Sequence, residues 1–195
     1  GEYGTILKTT DGGANWVGQN SGTMENLFDV FFPVDVLTGF VVGSNGIILK
    51  TTDGGENWSI QNSGTINALK SVHFPSNEQT GWVVGSAGTI VKTTDGGCTW
   101  DHQDPGLRIV TYEWDFFPEN EQTGYVGGDD GVILKTTDGG ANWSSLSSGT
   151  LENLESLDFP ITPQTGWSVG SNGTIAKTTD GGTNWVSQNS GTTYS

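Results

Sequence analysis

The chain has 195 residues, with 22 acidic and 7 basic side chains, a net charge of −15, 31 glycines and 8 tryptophans. That length allows one domain with a real core. The charge sets aside nucleic acid as a partner, since phosphate demands a basic face, and no apolar run is long enough for membrane insertion to be expected. In chain order, Gly1–Gly4 aligns with the turn at Gly43–Gly46, so residues 1–22 read as half a unit with two strands. Four full units follow, at 23–64, 65–106, 107–149 and 150–195. In each, a first strand runs to a Phe-Pro pair such as Phe32-Pro33, because proline suits a strand end. A second strand, such as Gly81-Trp82-Val83-Val84-Gly85, is apolar on both faces, as a strand sandwiched between neighbouring sheets should be. A tight turn such as Ser44-Asn45-Gly46 leads to a third strand, as in Ile48 to Thr51. An Asp-Gly-Gly hairpin then turns the chain into a fourth strand beginning at a Trp. These readings predict eighteen strands.

The hairpin is the core of an internal repeat. The string Lys-Thr-Thr-Asp-Gly-Gly occurs five times, with aspartates at Asp11, Asp53, Asp95, Asp138 and Asp180, recurring every 42 or 43 residues. Five residues after each Asp stands a tryptophan: Trp16, Trp58, Trp100, Trp143 and Trp185. A period near 42 with four short strands per unit predicts an all-β fold, a β-propeller of four-stranded antiparallel blades spanning 1–195, either whole or as a segment of a longer chain. About five blades are visible, the first of them partial. The Asp is expected to accept backbone N–H bonds, the glycines to take positive φ, and the Trp to pack over the turn. All ten residues are therefore read as structural, with Trp58 expected to act as a large core residue.

The Thr-Thr-Asp-Gly-Gly-x-Asn-Trp segment resembles the Asp-box, or BNR repeat. Together with Thr-Gly-Trp-Val-Val-Gly at 80–85, it is similar to the photosystem II stability and assembly factor family and to related repeats in secreted bacterial proteins. The resemblance covers essentially the whole chain. It implies that the boxes lie away from any ligand-binding face, and that the protein works outside the cytoplasm, secreted, periplasmic or on the cell surface. Asp-box sialidases grip a substrate carboxylate with three arginines, whereas this chain has only Arg108. No phosphate loop or nucleophile elbow is present. His73 and His102 stand in different units, without a cysteine nearby to make a ligand set, and the lone Cys98 can form neither an intrachain disulfide nor a cysteine zinc site. The expectation is therefore no enzyme, no metal and no cofactor.

Residues that break the repeat are the candidates for function. The unit between Asp95 and Asp138 is one residue longer, and it gains Arg108, Tyr112 and Trp114 before a turn at Asp129 and Asp130. An added residue implies a bulge, which re-aims side chains, and aromatic rings beside charge suit recognition. These five residues form the expected binding patch. Asn-x-Ser/Thr sequons stand at Asn57, Asn142 and Asn172; the first two recur inside the box, where turn chemistry explains them. The function expected first is a scaffold for a protein partner. The alternatives are a subunit that polymerises with copies of itself, motivated by the half unit, and a multivalent lectin holding glycans.

Overall fold

The computed structural model describes residues 1–106, 115–118, 121–162 and 164–192, with only the backbone described at 115–118 and 160–162. It is all-β, with eighteen strands among the described residues. Strands β1 (Ile6–Lys8) and β2 (Val17–Gln19) form a two-stranded sheet. Four-stranded antiparallel sheets follow. The first contains β3 (Leu27–Phe31), β4 (Gly39–Gly43), β5 (Ile48–Thr51) and β6 (Ser59–Gln61), and the second contains β7 (Leu69–His73), β8 (Gly81–Gly85), β9 (Thr89–Thr93) and β10 (Asp101–Gln103). The third contains β11 (Asp115–Pro118), β12 (Gly124–Gly127), β13 (Val132–Thr136) and β14 (Ser144–Ser147). The last contains β15 (Leu154–Thr162), β16 (Thr165–Gly170), β17 (Thr174–Thr178) and β18 (Val186–Ser187). Each is a meander in sequence order, which is the propeller blade.

The contacts of the chain group into two compact units: Gly1–Val83 with Val91–Asp101, and Val84–Ile90 with His102–Ser195. Each has its own core. In the first, Phe40, Leu69, Phe74 and Trp100 pack together with the valines of the neighbouring strands. In the second, Tyr125, Leu154, Leu157, Phe159 and Trp185 do the same. The second strands supply much of this core, and β4 and β8 are buried at every residue. Their uninterrupted apolar runs follow from burial on both faces.

The turn between second and third strands is repeated five times. Asn45 has φ 53° and Gly46 φ 69°. At Gly46 a side chain is excluded, because a Cβ would lie 2.0 Å from the Thr65 carbonyl oxygen. Tyr3 and Gly4 adopt the same pair of conformations, φ 52° and 71°, so the opening residues form the expected turn. Two boundaries differ from the sequence reading. Every fourth strand begins one residue after its Trp, and β3 and β7 end before Phe32 and Phe74. In both cases the aromatic ring leaves the ladder to pack on the hairpin.

β3 also carries a bulge between Leu27 and Asp29. Asp29 uses it to bridge two blades, its carboxylate accepting from the Val30 amide at 2.8 Å and from the Val72 amide at 2.9 Å. His73 lies against Phe31, ring centroids 4.4 Å apart. Burial pushes its imidazole below the usual range, partly offset by the Asp29 charge. His102 is exposed on β10.

Candidate interaction cleft

The Asp-box is a closed hydrogen-bonded unit. At Asp53, one carboxylate oxygen accepts from the Thr51 hydroxyl at 2.8 Å and the Asn57 amide N–H at 2.9 Å. The other accepts from the Asn57 side chain at 2.8 Å, and the Thr51 oxygen accepts from the Gly55 N–H at 2.8 Å. The arrangement recurs at Asp11, Asp138 and Asp180, and at Asp95 with Thr99 in the Asn role. The sequons at Asn57 and Asn142 are thus part of the turn. Asn172 instead donates to Glu152 at 2.7 Å.

These bonds stabilise the ionised carboxylate. The Asn57 side chain and then its backbone amide lower Asp53 from 3.8 to about 2. Asp11 is lowered to the same value by Asn15, and Asp95 by the Thr99 backbone and hydroxyl. Because the folded value lies below the unfolded one, the stabilisation is fully present above about pH 4 and is lost as pH falls toward about 2. Asn57→Ala is expected to move the Asp53 carboxyl titration, followed by NMR, part of the way back toward 3.8, because the side-chain bond is lost while the backbone N–H of residue 57 and the Thr51 hydroxyl still donate, and Asp11 and Asp95 stay where they are. An unmoved Asp53 would show that the Asn57 side chain does not set its acidity.

Successive blades lock through an aromatic ring and a receiving socket. In the first unit, Phe40 of β4 stacks on Phe74 at 4.4 Å and meets Trp100 edge-on at 6.3 Å, over Gly97 of the box. Lys50 reaches across the same ring, 5.7 Å from its centroid, to donate to the Gly96 carbonyl at 2.7 Å. In the second unit, Tyr125 stacks on Phe159 at 4.4 Å, above Gly182, and its hydroxyl donates to the Gly181 carbonyl at 2.8 Å. Lys135 donates to that same carbonyl at 2.8 Å.

The blade of β3–β6 has a socket of the same build that is open. Phe32 and Trp58 meet edge-on at 6.4 Å and 78°, as Phe74 and Trp100 do at 6.2 Å and 83°. Yet Phe32 is 38% exposed, whereas Phe74 is 2% exposed. The socket forms one wall of a cleft of about 420 Å³, floored by Val41, Gly54 and Gly55 and bordered by Thr5, Ile6, Leu7 and Lys8. Phe28 and Val30 of β3, with Phe32 just beyond its end, are exposed apolar residues that line it. Lys70 lies over Phe28, 4.2 Å from the ring centroid. Among the described residues β1 pairs with β2, and its Ile6, Leu7 and Lys8 line the cleft. Lys8 pairs with Glu56 at 3.1 Å.

Of the patch expected from sequence, Arg108, Tyr112 and Trp114 lie outside the described residues, as does the expected bulge. Asp129 and Asp130 form the same tight turn as Ser44–Gly46, with Asp129 buried and Asp130 exposed, its N–H donating to Asn153 at 3.2 Å. The cleft lies beside the two-strand opening unit, which the sequence already marks as a half blade to be completed by a longer chain or a neighbour.

These blades, hairpins and sockets define an Asp-box β-propeller. Residues 60–152 match the family model described as photosynthesis system II assembly factor YCF48, so the chain is similar to that family over a little under half its length. No curated protein sequence matches. Among solved structures, YCF48 from Cyanidioschyzon merolae is similar with a TM-score of 0.66 and 22% identity, over 84% of this chain and 56% of that one. A YCF48 bound to D1 peptide gives 0.55 and 18%, over 84% and 82%. An ancestral GH74 enzyme gives 0.81 and 16%, over 96% of this chain and 28% of the enzyme. This chain therefore spans about half the length of the first of these and under a third of the last.

The GH74 likeness corrects one expectation. The sequence reading took this chain not to be an enzyme, but the same blade architecture carries GH74 enzymes. The physical reason is that an Asp-box blade is a scaffold. Chemistry resides in the residues grafted on it, and a repeat shared by all blades neither supplies nor excludes them.

Proposed function

We propose that this chain is an extracytoplasmic interaction scaffold that binds a partner protein. The observation that carries this reading is the match of residues 60–152 to the YCF48 family model, together with a solved YCF48 that holds a D1 peptide. The net charge of −15 favours a partner segment with basic flanks. The extracytoplasmic setting follows the resemblance, and protease accessibility of the native protein on intact cells tests it.

Display of a random peptide library on the purified protein tests the binding role. Wild type is expected to enrich peptides carrying basic residues that an unrelated protein of equal net charge fails to retain. Equal recovery on the two proteins would overturn the reading.

A further inference from the structure

The loops that join one blade to the next repeat a feature that the fold itself does not need. We propose that the linker turns carrying Ile66 and Leu151 are the contact surface for the partner protein, and that the segment they take is both basic and apolar. This inference rests on the scaffold reading and gives it a surface.

Three linkers share one local design. After Ser-Gly-Thr stands a large aliphatic residue: Met24, Ile66 or Leu151. The Thr hydroxyl oxygen accepts from the amide two residues on, at 3.1 Å between Thr23 and Glu25, and at 3.0 Å both between Thr65 and Asn67 and between Thr150 and Glu152. That bond closes a turn with the aliphatic residue at its tip. Met24 is 74% exposed, Ile66 85% and Leu151 84%. Ile66 stands between β6 and β7, and Leu151 between β14 and β15, each joining two four-stranded blades. Their exposure therefore owes nothing to the two-stranded sheet of β1 and β2. A singly exposed aliphatic side chain is ordinary. One held at the tip of the same closed turn in successive linkers has no core contact to account for it. Because the turn is already closed, covering its tip costs little conformational freedom.

Charge decides what covers these tips. In two of the turns the next residue is a glutamate, fixed by the tight turn of the blade being entered: Asn45 donates to Glu25 at 2.9 Å and Asn172 to Glu152 at 2.7 Å. Glu155 accepts from the Ser171 hydroxyl at 3.0 Å beside the second of these. Where the linker has Asn67 in place of the glutamate, the tight turn has Ala87 in place of the asparagine, so the pair is present or absent as a unit. No lysine neutralises these carboxylates. The one ion pair among the described residues joins Lys8 to Glu56, and the other five lysines each lie over an aromatic ring. Each four-stranded meander puts its linkers and tight turn at one end and its Asp-box at the other. An apolar tip beside a fixed carboxylate complements a segment in which lysine or arginine adjoins an apolar side chain. A second copy of this chain brings 22 acidic residues against 7 basic ones and meets repulsion instead.

The test pans the same random peptide library on the wild-type protein and on variants, and sequences the recovered pool. Wild type is expected to recover peptides in which lysine or arginine adjoins an apolar residue. Ile66→Ser combined with Leu151→Ser should lower recovery of that pool by about tenfold or more, as loss of apolar anchors does, while keeping the wild-type melting temperature. Glu152→Gln should lower it by about threefold and make it less sensitive to salt. Val34→Ser should leave recovery unchanged. It removes an apolar side chain that is 63% exposed from the loop at the other end of the β3–β6 blade. If the double variant keeps the whole pool while an unrelated protein of equal net charge does not, the inference falls and the scaffold reading stands. If wild type recovers no more than that unrelated protein, both fall. If wild type self-associates and the double variant does not, the tips join copies of this chain and the inference is overturned.

Discussion

Trp100→Ala is expected to cost about 3–5 kcal/mol, the usual loss on truncating a large buried aromatic residue. Trp58→Ala should cost only about 1–2 kcal/mol, because part of its surface already faces solvent and contributes little burial. The two tryptophans hold the same place in the repeat. Trp100 is 7% exposed and is touched by both Phe40 and Phe74, whereas Trp58 is half-buried and has Phe32 as its aromatic partner. Chemical denaturation of the two variants, compared by midpoint and slope, reads the difference. Equal losses would mean that the box Trp stabilises its own hairpin alone and that the ring from the preceding blade adds nothing.

The second expected result concerns the glycine beneath each ring. Gly97→Ala should destabilise by about 2–5 kcal/mol, from a side chain at positive φ together with overpacking against a buried ring. Gly97 has φ 82°, and the added Cβ would lie 2.6 Å from Phe40. Gly55→Ala has the same backbone problem at φ 88°, but its nearest neighbour is Trp58 at 3.3 Å. Its cost should be near the backbone share alone, about 1–2 kcal/mol. Thermal melts of the pair isolate the steric contribution of the inserted ring. A Gly55 variant as damaged as the Gly97 variant would contradict the openness of the cleft.

Much of the architecture was legible in the sequence because the repeat states it locally. Asp53, Thr51 and Asn57 lie within six residues of one another, so their turn chemistry can be read from spacing. The same holds for the positive-φ turn at Asn45 and Gly46, and for its counterpart at Tyr3 and Gly4. The strand limits near Trp58 and Phe32 were misplaced by a residue because those rings leave the ladder for contacts that no local pattern reveals. The incomplete first blade was legible from the two-strand opening unit, but whether Trp58 is core or surface depends on a ring from a different repeat, which the residues next to Trp58 do not state. The patch sought from sequence irregularity, at Arg108, Tyr112 and Trp114, lies outside the described residues, while Asp129 and Asp130 occupy a turn common to every blade.

The lysines of two boxes give their junctions a direction. Lys50 caps a carbonyl 46 residues further on, at Gly96, and Lys135 does the same at Gly181. Phe40 and Tyr125 likewise insert toward the following blade. These two junctions share one chemistry and one polarity, so within each compact unit a repeat acts as a link with a distinct front and back. Gain or loss of a whole link by gene duplication or deletion leaves each remaining junction chemically unchanged. Blade number in a fold built this way can change without new junction chemistry, whereas loss of the hairpin, the ring or the lysine breaks a junction.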